Sequence, residues 1–413
     1  MTNDPATCPP SRWLSIIGIG EDGVAGLPSA ARTLIASAEL VVGGKRHLGL
    51  ADELIRGRRL AWPSPIGDAI PEIAKHRGRP VVVLASGDPF HYGVGDLLMR
   101  TIPATEMLCL PQPSSFSLAA ARLGWPVQDV ALVSVHGRAL EAIVRHLHPG
   151  ARVLALSWDG DTPKKLAELL VARGMGRSRL TVLEAMGGPR ERVRQAMAVG
   201  FALADVDALN TIALEVEAPP DAAVVALAPG LDDGLFENDG QLTKREVRAA
   251  TIAALGPHWG ELLWDVGLGA GSVAIEWLLR HPSLAAIGIE DRPERAARAA
   301  RNAAALGTPD LRIVQRKAPE GFADLPAPDA VFIGGGLSDP GLFDAAWMHL
   351  KPGGRLVANA VSLQSEARLI ELFQRHGGEL VRLEVAKAGK AGTGGVFVWR
   401  QAAPIVQWRV RKP

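Results

Sequence analysis

Cysteine is nearly absent. Only Cys8 and Cys109 occur in 413 residues, which excludes a disulfide framework and a cysteine-ligated zinc site. Net charge is close to nil as well. Forty-five Lys and Arg stand against 44 Asp and Glu, a balance of +1, and the basic residues are dispersed rather than run together, so a nucleic-acid footprint is missing. No apolar run reaches the ~20 residues that span a bilayer. Met1 to Pro10 has neither the basic start nor the apolar stretch of a secretion signal. The expectation is a soluble cytoplasmic protein without nucleic-acid or membrane partners. Length sets a prior of two or three domains. Composition, 47% apolar and 22% charged, is that of an ordinary globular chain.

What the chain does have is glycine in patterned places. Leu262-Leu263-Trp264-Asp265-Val266-Gly267-Leu268-Gly269-Ala270-Gly271-Ser272-Val273-Ala274-Ile275-Glu276-Trp277 reads as a buried strand, a glycine turn and a helix. Three alternating glycines let the backbone bend sharply and let a ligand rest on bare main chain. The helix opening near Ser272 points unpaired N–H groups at that turn. A P-loop would need Gly-Lys-Ser/Thr, and Ser272-Val273 follows Gly271 instead. The dinucleotide fingerprint would place glycine or alanine where Ser272 stands. The Gly-x-Gly-x-Gly spacing resembles the Rossmann-like methyltransferases that bind S-adenosylmethionine. Glu290 fits that resemblance: it ends the next apolar run, Ala285 to Ile289, and can accept from both ribose hydroxyls.

The first half carries a series of strand-then-glycine segments. Trp13 to Gly20 is one, with a helix following from Ser29 to Ala38. Val81 to Ala85 is a continuous β-branched run suited to a strand buried on both faces. It leads into Ser86-Gly87-Asp88-Pro89, where Asp88 is positioned to cap a helix begun by Pro89. Pro113-Ser114-Ser115 opens an alanine-rich helix that Gly124 stops. Further strands are expected at Val130–Val135, Val153–Ser157, Leu180–Leu183 and Asn210–Val216, with Thr162 capping a helix that Gly174 ends.

Ile17-Gly18-Ile19-Gly20, Ala85-Ser86-Gly87-Asp88-Pro89 with Gly93 and Gly95, Pro113-Ser114-Ser115 and Gly187-Gly188-Pro189-Arg190-Glu191 together resemble the tetrapyrrole methylases over residues 12 to about 216. That resemblance implies two α/β subdomains holding S-adenosylmethionine in a cleft between them. Glu217 to Asp239 then turns Pro- and Gly-rich and loses periodicity, as a linker with short docking segments does.

The second half opens with Leu242-Thr243-Lys244-Arg245-Glu246-Val247-Arg248, where Thr243 and Glu246 match a capping box, as Asp291 and Glu294 do later. Strands at Leu311–Gln315 and Ala330–Ile333, a turn at Lys351–Gly354 and a glycine-rich loop from Gly389 to Gly395 before Val396–Trp399 complete an alternating pattern. That alternation predicts a parallel, doubly wound sheet. In this order the segments resemble the cobalamin-pathway methyltransferases that also decarboxylate their substrate, over about 236 to 400. The expected architecture is α/β throughout: a tetrapyrrole methylase domain at 1–216, a linker at 217–235, and a Rossmann-like methyltransferase domain at 236–413.

The resemblances imply methylation of a precorrin at carbon 5 by the first domain. They imply methylation at carbon 15, with loss of the ring C acetate carboxylate, by the second. Each domain would carry its own S-adenosylmethionine, and self-association is implied by analogy. Cofactor contacts are expected at Gly18, Gly87, Asp88, Ser114 and Ser115, and at Gly267, Gly269, Gly271, Glu290 and Ala318. Asp88 and Glu290 are equally readable as a cap and a rim charge. Arg46, Arg138, Lys244 and Arg248 are candidates for substrate carboxylates, against a reading as solvated charge. Glu246, His258 and water are the candidate proton donors. No metal is expected; His146 and His148 would diverge on a helix. The alternatives are an RNA methyltransferase whose first domain is a binding module, an NAD dehydrogenase using the Gly267 turn, and a pairing in which one domain has lost activity.

Overall fold

Short apolar runs become buried parallel strands, and they organise both halves of the chain. The computed structural model describes residues 12–391 and 396–413; Cys8 and the end of the expected Gly389–Gly395 loop lie outside the described residues. By internal packing the chain divides into Met1–Arg138 with His148–Ala223, and Ala139–Leu147 with Val224–Pro413. Among the described residues no helix is long and apolar enough to cross a membrane.

The first unit begins with β1 (Leu14–Ile19), α1 (Ser29–Ser37), β2 (Leu40–Gly43), α2 (Lys45–Leu50), β3 (Arg58–Ala61), α3 (Ile70–Ala74), β4 (Val81–Ser86), α4 (Gly95–Met99) and β5 (Met107–Leu110). These strands form a sheet in the order β3-β2-β4-β1-β5, every pair parallel. β1 is buried along its whole length and β4 along all but its last residue, as strands covered on both faces must be. The helix expected at Pro89 starts later, at Gly95. The Asp88 carboxylate instead accepts from Phe90 N–H at 2.9 Å, a local turn that competes with helix entry.

The unit continues with α5 (Ser115–Leu123), β6 (Ala131–Ser134), β7 (Arg152–Leu156), α6 (Thr162–Ala172), β8 (Arg179–Glu184), β9 (Arg192–Met197) and β10 (Asn210–Glu215). The second sheet runs β6-β7-β10-β8-β9 and is antiparallel apart from the β6–β7 pair. Ser114 caps α5, accepting from Ser117 N–H, and Gly124 closes it in the left-handed region. Thr162 is the first residue of α6 rather than its cap; Asp159 accepts from its N–H at 2.9 Å.

The second unit includes a 3-10 helix, Leu140–His146, where an α-helix was expected. Its remaining elements are α7 (Arg245–Leu255), β11 (Leu262–Val266), α8 (Ser272–Arg280), β12 (Ala285–Glu290), α9 (Pro293–Ala305), β13 (Arg312–Gln315), β14 (Ala330–Ile333), α10 (Leu342–His349), β15 (Arg355–Ala360), α11 (Leu363–His376), β16 (Glu379–Leu383), β17 (Ala386–Ala391), β18 (Val396–Gln401) and β19 (Ile405–Arg411). The main sheet is β13-β12-β11-β14-β15-β19-β16. Its first five strands are parallel, and β19 runs antiparallel to both neighbours. The strand order reverses at β11, so the crevice beyond β11 is the switch point where such sheets take ligands. The expected glycine loop is in its first part a strand: Gly389 lies in β17, paired with Val398 of β18.

Neither capping box forms. The residues at the two N-caps are Lys244 and Arg292, without side-chain caps. Thr243 serves through its carbonyl, which accepts from Arg248 at 2.5 Å.

Candidate active site

In the second unit, β11 delivers Asp265 and Val266 into the turn Gly267–Gly271. Gly267, Gly269 and Gly271 all have positive φ, at 76°, 57° and 79°, a region costly for residues with a Cβ. Ile289 O, near the end of β12, pins the turn by accepting from Gly267 and Leu268 N–H at 3.0 and 3.1 Å. The Glu290 carboxylate accepts from Gly269 N–H at 2.8 Å and from Arg292 N–H at 3.1 Å. The carboxyl of Asp265, 1% exposed, accepts from Ala274 N–H at 3.0 Å in the first turn of α8. Burial, with the nearby Glu290 charge, raises the Asp265 carboxyl to about 7.

A cavity of about 1210 Å³ opens over this turn. Gly267, Gly269, Glu290, Ala318 and Lys244 line it, as does Asp265, whose position two residues before Gly267 was the overlooked signal. A Cβ placed on Gly267 or Gly269 would meet no atom closer than 3.8 Å, so the bare backbone there faces open space. A nucleoside-bearing cofactor fits such a cradle, with a carboxylate at its edge and room beyond it.

Three expected residues take other roles. Gly271 is not part of the cavity lining; its missing Cβ would crowd Ala299 at 3.2 Å, so it serves the approach of α8 to α9. Arg248 is fully buried and pairs with Glu276 at 2.5 Å and Asp233 at 3.1 Å, with no surface left for a substrate. His258 lies outside the lining, beside Glu261 and Arg355 at the N-terminal ends of β11 and β15, away from the glycine turn. Glu246 does line the cavity, but its ion pair with Lys387 at 3.0 Å holds its carboxyl below the usual range, so it carries no proton to donate near neutral pH.

In the first unit the glycines act by close approach of strand ends. A Cβ on Gly18 would fall 1.9 Å from Gly87 O, and one on Gly87 would fall 3.0 Å from Ser114 Cα. Gly87 O in turn accepts from Gln112 N–H at 3.0 Å. Gly18, Gly87, Asp88, Ser114 and Ser115 are thereby gathered at the C-terminal edge of β1, β4 and β5. Arg46 does not stand free: it pairs with Glu21 and donates to Ser86 Oγ at 2.9 Å and His47 Nε2 at 2.8 Å. Because a guanidinium only donates, His47 Nε2 is the acceptor and Nδ1 carries the proton. Burial and the Arg46 charge hold that imidazole down at about 4, hence neutral. Arg138 is exposed, its guanidinium 5.3 Å from the Tyr92 ring centre.

Two family models match the chain. Residues 14–198 match the tetrapyrrole (corrin/porphyrin) methylases, and residues 234–412 match the precorrin methyltransferase domain. A Sinorhizobium precorrin-6Y C(5,15)-methyltransferase [decarboxylating] is 55% identical over 98% of this chain and 97% of its own. The chain belongs to that family. It is a decarboxylating methyltransferase of cobalamin biosynthesis, with a precorrin tetrapyrrole as substrate and S-adenosylmethionine as methyl donor. Two shorter relatives each cover less than half of it. A cobalt-precorrin-7 C(5)-methyltransferase of Salmonella typhimurium is 32% identical over 44% of this chain and 88% of its own. A probable cobalt-precorrin-6B C(15)-methyltransferase (decarboxylating) of Pyrobaculum calidifontis is 36% identical over 40% and 87%.

Proposed function

We propose that the two chemistries divide between the two units, each with its own S-adenosylmethionine. The first methylates carbon 5 of the precorrin; the second methylates carbon 15 and removes the ring C acetate carboxylate. The observation carrying this reading is the cavity over the glycine turn at the C-terminal edge of the second unit's parallel strands, beside a second convergence of strand ends at Gly18, Gly87 and Ser114 on the first unit's own parallel sheet. The two shorter relatives, named for one carbon each, support the division.

S-adenosylmethionine supplies a methyl carbon on a sulfonium leaving group. What remains for the chain is alignment of the acceptor carbon, an effect worth ~7–11 kcal/mol. Gly267 and Gly269 admit the nucleoside, and Glu290 keeps lone pairs for the ribose hydroxyls beyond the two main-chain bonds it accepts. In the first unit Gly87, Asp88, Ser114 and Ser115 form the corresponding rim. In decarboxylation the bond to the carboxyl carbon breaks, its electron pair enters the conjugated macrocycle, CO2 leaves and a proton is added. Of the three candidate donors, Glu246 is ionised and His258 lies outside the cavity, which leaves water to supply that proton.

Calorimetric titration of the full chain with S-adenosylmethionine tests the reading. Two equivalents should bind; Glu290→Ala should weaken one and Gly87→Val should abolish the other. Saturation at one equivalent in the parent protein would refute it.

A further inference from the structure

The hairpin β17–β18 places two cations face to face. Lys387 and Arg400 are directly paired across the strands, and both line the cavity above the glycine turn. Like charges directly opposite one another destabilise an antiparallel pair. Glu246 answers only Lys387, at 3.0 Å. Among the described residues Arg400 has no carboxylate partner; one guanidinium nitrogen donates to Lys390 O at 2.6 Å. The bare backbone of Gly389 permits that pose, since a Cβ there would lie 3.1 Å from Arg400 Nε.

We propose that Lys387 and Arg400 form a carboxylate clamp that fixes the tetrapyrrole in the second unit's cavity. This rests on the reading that the second unit carries the decarboxylating chemistry. The cavity, about 1210 Å³, exceeds the usual ~300–1,000 Å³ of a single-ligand pocket, leaving room for a large acceptor beside the donor. An acceptor bearing several carboxylates supplies the anion that the cross-strand pair lacks, and Arg400 can take it bidentately.

The clamp also selects which carboxylates it holds. A cation beside a carboxylate stabilises its ionised ground state and opposes loss of CO2. The clamped groups are therefore ones the product keeps, and the acetate whose carboxylate leaves as CO2 lies toward the apolar lining residues Leu383, Val385 and Ile405.

The test uses the full chain with K387Q, R400Q, the double variant and K387R, following methylated and decarboxylated products by mass at saturating S-adenosylmethionine. The double variant should raise KM for the precorrin on the order of tenfold to a hundredfold. Its kcat should stay within about threefold and its dependence of KM on ionic strength should flatten, while K387R, which keeps the charge, should stay close to the parental KM. Cofactor affinity, read by calorimetry, should stay within about twofold, which also reports an intact fold. A parent-like KM in the double variant, or a loss confined to kcat, overturns the clamp. Gly269→Val separates the two levels of the claim. If that variant still releases CO2 at the parental rate, the cavity is not the decarboxylating site and the underlying reading falls with the clamp. If it is inactive while the double variant behaves as parent, the clamp alone falls.

Discussion

Asp265 is a carboxyl 1% exposed beneath a glycine turn, held at about 7 by burial and the Glu290 charge. The unfolded chain releases that proton near the ordinary value of ~4. Between roughly pH 4 and 7 the folded state therefore holds more protons, and stability falls as pH rises across this window before levelling above 7. Asp265→Asn should remove that slope, on the order of a few kcal/mol between the two limits, when unfolding midpoints are compared at pH 5 and 8. A slope identical to the parent's would show that Asp265 is ionised throughout. The glycines permit a second comparison. Gly18→Ala drives a Cβ to 1.9 Å from Gly87 O and should destabilise by more than about 2 kcal/mol. Gly267→Ala faces open space and should cost only about 1 kcal/mol through its positive φ, while weakening S-adenosylmethionine in calorimetry. Glycine spacing and the acid after the second strand were legible in the sequence because both constrain the backbone locally. The difference between Gly269 over a cavity and Gly271 against α9 was not, since it depends on where Ala299 packs.

At the level of elements, the parallel strands were legible because short apolar runs bounded by glycine and turn residues have few other homes. Edge and late elements were not. β9 has no fully buried residue and carries Arg192 and Arg194, so it offers little apolar alternation to read. The β17–β18 hairpin is Gly-rich and exposed, and reads as a loop until its register is known. Arg248 is the sharpest misreading. Its position on α7 is compatible with a surface cation, yet it is buried, and Glu276 accepts from it and from the N–H groups of Gly230 and Leu231 at 2.7 and 2.8 Å. The pair thus ties the 230–236 stretch to α7 and α8. Removing Arg248 takes from the buried Glu276 carboxylate its paired cation, so Arg248→Met should cost roughly 3–5 kcal/mol. The double variant Arg248→Met with Glu276→Gln should lose less than Arg248→Met alone. Thermal melts check the order. KM for the precorrin, measured well below the melting temperature, should remain parental in the single variant; a raised KM would return Arg248 to the substrate.

At the scale of the molecule, the path of the chain limits how the two activities can be separated. The polypeptide changes unit after Arg138, after Leu147 and after Ala223, so no single cut yields two complete halves. Within the second unit, a Cβ on Gly307 would lie 2.7 Å from Arg145 N, and Arg145 donates to Leu278 O, so the 139–147 stretch sits closely on α9 and the end of α8. Ile143 and Val144 are both buried, and burying side chains of that size is worth about 1.5–3 kcal/mol each. A fragment of residues 230–413 lacks this stretch and uncovers the surface beneath it. Its melting midpoint should rise by roughly 5 °C or more when a peptide spanning 137–149 is added in excess. The same peptide carrying Val144→Asp should give no rise. A fragment that melts identically with and without the native peptide would mean that 139–147 contributes nothing to the second unit, and a simple two-piece dissection of the two methylations would then be sound.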